Sequence, residues 1–75
     1  MPTIKYISGR LGRNIKSARI KAGMTQLELA HAIGYRGDDA GAYICRVEAG
    51  KQEPRLPVLT RIASHLGTDL GLLLQ

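Results

Sequence analysis

A chain of 75 residues holds one small domain and leaves no room for a second one carrying a deep, pre-formed pocket. A hydrophobic share of 44% excludes a disordered chain, and an aromatic share of 4%, with neither Trp nor Phe, requires a core of Leu, Ile, Val and Ala. The formal net charge of +5 suits a polyanionic partner such as nucleic acid or an anionic membrane surface, and equally a solvated basic face.

Residues 1–8 read as an amino-terminal arm and residues 9–75 as the domain. Glycines then divide the chain, since Gly23, Gly34, Gly50 and Gly67 each follow a helix-like run and suit the left-handed residue that ends a helix. The first run covers roughly residues 9–22, with Leu11, Ile15, Ala18 and Ala22 on one face and Arg13, Lys16 and Lys21 elsewhere. From Lys5 to Lys21 there are six basic residues and no acidic one, so the charge is concentrated at this end. The second run has the clearest start. Thr25 and Glu28 have the spacing of a capping box, and Met24 with Leu29 that of a hydrophobic staple, which predicts a helix over residues 26–33.

The third run places Ala40, Ile44 and Val47 on one face and ends at Ala49, with Asp38 or Asp39 available as its cap. Gly41 weakens its start. The fourth spans residues 56–66, with Leu59, Ile62, Ala63 and Leu66 inward and Pro57 tolerated in the first turn. A short fifth helix over residues 69–74 carries Leu70, Leu72, Leu73 and Leu74, more than one buried stripe requires. The expected fold class is therefore all-α, with five helices.

The functional signal lies in the second and third runs. Ala30 is small enough for two helices to cross closely, and Gly34 accepts the positive φ of a sharp turn. Ile44 and Val47 then pack the next helix back onto the first, as in a helix-turn-helix. Residues 15–19, the segment Gly23-Met-Thr-Gln-Leu-Glu-Leu-Ala30, the segment Ile44-Cys-Arg-Val-Glu-Ala-Gly-Lys51, Pro54 and residues 59–67 together resemble the lambda-repressor and Cro-like (XRE-type) family. The resemblance covers nearly all of the chain from Leu11 onward.

That resemblance implies a five-helix domain binding double-stranded DNA, with the third helix in the major groove, usually as a homodimer on a two-fold site. It implies a transcriptional regulator, most simply a repressor. Thr25 and Gln26 would meet a phosphate at the start of the second helix, where free amides and the helix dipole favour anions. Lys51 would be a second phosphate contact, and Tyr43 and Arg46 would face the groove, Arg46 to read a guanine edge. Gly41 and Ala42 fall at the family's usual base-contacting start, where Ala42 can touch only a thymine methyl. Arg19 and Glu48 match positions that pair between the first and third helices, a structural role. Leu70, Leu72 and Leu74 are assigned to the dimer interface, as surplus apolar surface.

The chain departs from the family between Gly34 and Ile44, where Tyr35-Arg-Gly-Asp-Asp-Ala-Gly-Ala-Tyr43 is longer than the usual turn by about one helical turn of roughly 3.6 residues. Two conformations are open: an extended third helix, or an enlarged turn before a helix of normal length. Asp38 and Asp39 are awkward beside phosphates, and Arg36 is the residue placed to compensate.

A protein-interaction module of the antitoxin kind, using the last helix on a partner protein, is the competing reading. An enzyme is not expected, because no nucleophile–base pair, carboxylate cluster, phosphate loop or metal spacing is present in the sequence. His31 and His65 lack companions at metal spacing and Cys45 lacks a second thiol, so neither metal nor cofactor is expected and a reducing cytoplasm is the natural location. No apolar run is long enough for a signal peptide or a membrane span.

Overall fold

The computed structural model describes the backbone of residues 3–75 and the side chains from residue 9 onward. Among the described residues five helices follow one another: α1 Thr3–Lys21, α2 Gln26–Ala32, α3 Gly41–Glu48, α4 Leu56–His65 and α5 Leu70–Leu73. No strand occurs among the described residues. α1 begins earlier than residue 9, so helical backbone reaches into the segment read as an arm. Residues 1 and 2 of that segment lie outside the described residues.

The apolar stripes close on one core. Leu11 and Ile15 from α1, Leu29 and Ala30 from α2, Ile44 and Val47 from α3, Leu59, Ile62 and Ala63 from α4, and Leu73 from α5 are all buried. Ala22, expected on the inner face of the first helix, instead lies just past its end and is exposed. In the α4 region the match is complete: Leu59, Ile62, Ala63 and Leu66 all point inward.

Helix ends follow local rules. At α2, Glu28 N donates to Thr25 Oγ1 at 3.0 Å and Thr25 N donates to Glu28 Oε1 at 2.8 Å, which completes the capping box. At the other end Gly34 adopts φ 106°, its amide donates to His31 O, and the Tyr35 amide reaches back to Ala30 O at 3.0 Å. This satisfies two carbonyls that the helix itself cannot, and only glycine takes such a φ without strain. α5 is capped by Asp69, whose Oδ1 accepts from Leu72 N at 2.9 Å.

Of the two conformations open for the stretch after Gly34, the structure adopts the enlarged turn. α3 starts only at Gly41, and the preceding residues form a turn closed by Ala40 N donating to Gly37 O at 3.3 Å. Neither Asp38 nor Asp39 caps the helix, in contrast to the sequence expectation: the cap position is Ala40, without any side-chain hydrogen bond. The extra turn displaces both carboxylates upstream of the cap, where they remain exposed.

α1 crosses α3 more closely than any hydrophobic pattern reveals. A methyl group built on Gly12 would lie 2.5 Å from the Val47 carbonyl oxygen and 2.6 Å from that of Glu48. α1 is also fastened to the chain end, through Asn14 Nδ2 donating to Leu73 O at 2.8 Å and Arg10 donating to Gln75 O.

Candidate nucleic-acid interface

α2 and α3 make the most extensive helix–helix contact in the fold, and a polar clamp fixes them relative to α1. Arg19 Nε donates to Glu48 Oε2 at 2.6 Å and its Nη2 to Oε1 at 3.2 Å, a two-pronged ion pair from α1 to the end of α3. Arg19 Nη1 also donates to Met24 O at 2.8 Å, and Gln26 Nε2 donates to Glu48 Oε1 at 3.0 Å. One arginine and one glutamate thereby join α1, the α1–α2 turn, the start of α2 and the end of α3. The side chains are 11% and 4% exposed, so the pair is held largely away from water.

Gln26 therefore faces the end of α3 with its side-chain nitrogen already engaged, and the neighbouring Thr25 hydroxyl is committed to the cap. Gly41 likewise serves packing. A methyl group there would sit 3.2 Å from Leu27 N, so Gly41 is the small residue at which the start of α3 meets the start of α2. Ala30, the small residue expected at the close crossing, is fully buried, but the tight approach at the helix starts belongs to Gly41.

With Ile44 and Val47 buried, a helical advance of about 100° per residue leaves Ala42, Cys45, Arg46 and Ala49 on the opposite face. All four are exposed. Cys45 borders this face beside Arg46, and its position three residues after Ala42 is the sequence signal for that placement. Tyr43 flanks the same face, half-buried against the core. Its ring lies on that of Tyr35, with centroids 4.4 Å apart and planes tilted by 31°. Burial first, and then the neighbouring Tyr35 hydroxyl, push the Tyr43 phenol up to about 12, with the Arg46 charge opposing. Lys51 is exposed just beyond α3, and Arg36 is exposed on the enlarged turn.

The turn itself is anchored by a contact that sequence reasoning did not supply. His31 Nε2 lies 3.0 Å from the Gly37 carbonyl, an acceptor only, so the nitrogen carries the proton. Gly37 has φ 98°, which turns that carbonyl toward α2 and completes the loop.

The carboxy-terminal leucines separate. Leu73 is buried and Leu70 packs against the core of its own chain, whereas Leu72 and Leu74 are 54% and 47% exposed. Leu72 borders an open groove of about 590 Å³ between α1 and the α4–α5 turn, lined also by Asn14, Ser17, Lys21, Leu66 and Thr68. Among the described residues there is no cluster of His, Cys, Asp or Glu able to hold a metal ion, and no helix is long and apolar enough to cross a membrane.

A family model described as a helix-turn-helix domain matches residues 10–74. Searches of curated proteins and of solved structures found no match.

Proposed function

The chain belongs to the helix-turn-helix domain family, a DNA-binding class, and we propose from this membership that it is a sequence-specific transcriptional regulator. The observation that carries the reading is the outer face of α3: it is exposed along its length and carries a cation, on a domain of net charge +5. In this reading α3 enters the major groove and Arg46 reads a base edge, with Ala42 against a thymine methyl and Tyr43 beside it. Lys51, Arg36 and the Thr25–Gln26 corner contact the backbone, which positions the domain without reading sequence. Arg19 and Glu48 hold the geometry and touch no DNA.

We further propose that the regulator is a repressor, that it acts in the cytoplasm, and that it binds a two-fold site as a homodimer through Leu72 and Leu74. Two recognition helices on one side of the duplex need a separation of about 34 Å, which a symmetric contact sets. The same exposed leucines favour a second reading, in which an antitoxin-like module uses them to bind another protein.

Selection of bound duplexes from a random pool, followed by gel-shift titration, tests the assignment. Arg46→Ala should weaken the selected site by about 1–3 kcal/mol and leave non-specific binding nearly intact. Lys51→Ala should weaken all sequences alike and flatten the salt dependence. Unchanged affinity in both variants would refute the docking. For the dimer, sedimentation across concentration is compared with a Leu72→Glu, Leu74→Glu double variant. A monomer at high micromolar concentration, with DNA affinity unchanged in the double variant, would remove this interface.

A further inference from the structure

Tyr35 leads the stretch that lengthens the connection between α2 and α3, and its backbone is not free. Its amide closes α2 on Ala30 O at 3.0 Å, and two residues later the chain is fastened again by His31 Nε2 on Gly37 O at 3.0 Å. Ala40 N on Gly37 O then ties the same carbonyl to the approach of α3. Between these anchors the Tyr35 side chain lies against the ring of Tyr43, at a centroid distance of 4.4 Å. Tyr43 stands one turn before Arg46, at the border between the buried and the outward faces of α3.

A tyrosine at such a border has alternative staggered positions, and fixing one of them during binding costs free energy. A second ring laid against it removes that freedom before the partner arrives. The extended turn thus bears on the recognition helix through an aromatic contact, where its backbone alone would only connect two helices.

We infer that Tyr35 is a positioning residue for DNA recognition: its ring holds Tyr43 in the orientation that α3 presents to the groove, so part of the site preference resides outside the recognition helix. The inference rests on the DNA-binding reading given above. It assigns the longer turn a role in specificity, and it places that role on Tyr35 rather than on the exposed acidic pair Asp38 and Asp39.

The test uses the duplex selected by the unmodified protein and a scrambled duplex of equal length, titrated with the unmodified chain, Tyr35→Ala, Tyr35→Phe, Tyr43→Ala and the double alanine variant. Tyr35→Ala should weaken the selected duplex about 3- to 10-fold, the scale of an aromatic pair, and leave the scrambled duplex unchanged. Tyr35→Phe keeps the ring and should behave as the unmodified protein. In the Tyr43→Ala background, adding Tyr35→Ala should cost nothing further. In the free protein, the Tyr43 side-chain couplings measured by NMR should report one rotamer with Tyr or Phe at position 35 and averaging with Ala. Thermal melting precedes each titration, and if Tyr35→Ala does not fold, Tyr35→Leu takes its place, retaining apolar bulk without a flat ring. Full site preference in the variant, an equal loss on both duplexes, or an undiminished loss in the Tyr43→Ala background would each overturn the inference. Absence of any sequence preference in the unmodified protein would overturn the DNA reading as well, and that result appears before any variant is made.

Discussion

Replacing Glu48 with alanine should be the most damaging single change to a polar residue of this domain. The carboxylate is 4% exposed and accepts from three donors: Arg19 Nε at 2.6 Å, Arg19 Nη2 at 3.2 Å and Gln26 Nε2 at 3.0 Å. Its removal leaves the guanidinium, 11% exposed, with the Met24 carbonyl as its remaining hydrogen-bond partner within the clamp. Removing one partner of a buried pair costs about 3–5 kcal/mol, because the other charge stays desolvated and uncompensated. A domain of this size has a total stability on the order of 4–11 kcal/mol, at roughly 0.05–0.15 kcal/mol per residue. The loss therefore consumes a large part of it, and the midpoint of thermal unfolding should fall by roughly 15–30 °C. Glu53, exposed, is the comparison, and Glu53→Ala should change stability by less than about 0.5 kcal/mol. The assay is thermal and urea unfolding followed by circular dichroism. An Arg19→Met, Glu48→Leu double variant should recover part of the loss, since it buries no unpaired charge. Equal, small shifts for Glu48→Ala and Glu53→Ala would refute the reasoning.

Three further outcomes are expected. Gly12→Ala should destabilise by about 1–3 kcal/mol, since the added methyl would meet two backbone carbonyls that cannot rotate away, whereas Gly9→Ala, whose nearest such contact is Arg13 Nη1 at 3.9 Å, should stabilise by about 0.5–1 kcal/mol; chemical unfolding of both variants checks the opposite signs. One tyrosine should titrate at about 12 in a phenolate absorbance titration and be lost in Tyr43→Phe. Because the same phenol ionises near 10.0 when unfolded, the folded chain binds more protons between these values, and stability should fall as pH rises through that window. Cys45, exposed on the outer face of α3, should react readily with a thiol reagent in the free protein and be protected by bound DNA; equal labelling rates would place the DNA elsewhere.

Much of the fold is legible in the sequence because it is set by short-range rules. The capping box at Thr25 and Glu28 and the glycine after each of the first four helices are satisfied by residues within one turn of each other. The α4 stripe of Leu59, Ile62, Ala63 and Leu66 follows from helical period alone. The pairing of Arg19 with Glu48 is implied by the family resemblance alone, since no spacing rule links residues that far apart.

What the chain alone left open depended on how whole helices meet. An insertion of about one turn fits either a longer helix or a wider loop by period, and the choice fell to contacts that only the assembled fold supplies: His31 on Gly37, and the ring of Tyr35 on Tyr43. Gly12 reads as an unremarkable residue in a helix until α3 ends against it, and Gly41 as a weak helix start until α2 lies beside it. Cys45 turns outward because Ile44 and Val47 turn in, and Leu72 and Leu74 stay exposed because Leu73 and Leu70 fill the space on the core. Local hydrogen bonding and apolar period determined where each helix begins, ends and hides its face. The crossing distances, the course of the long turn and the surface left free to bind were decided by packing, because each requires two segments remote in sequence to occupy adjoining space.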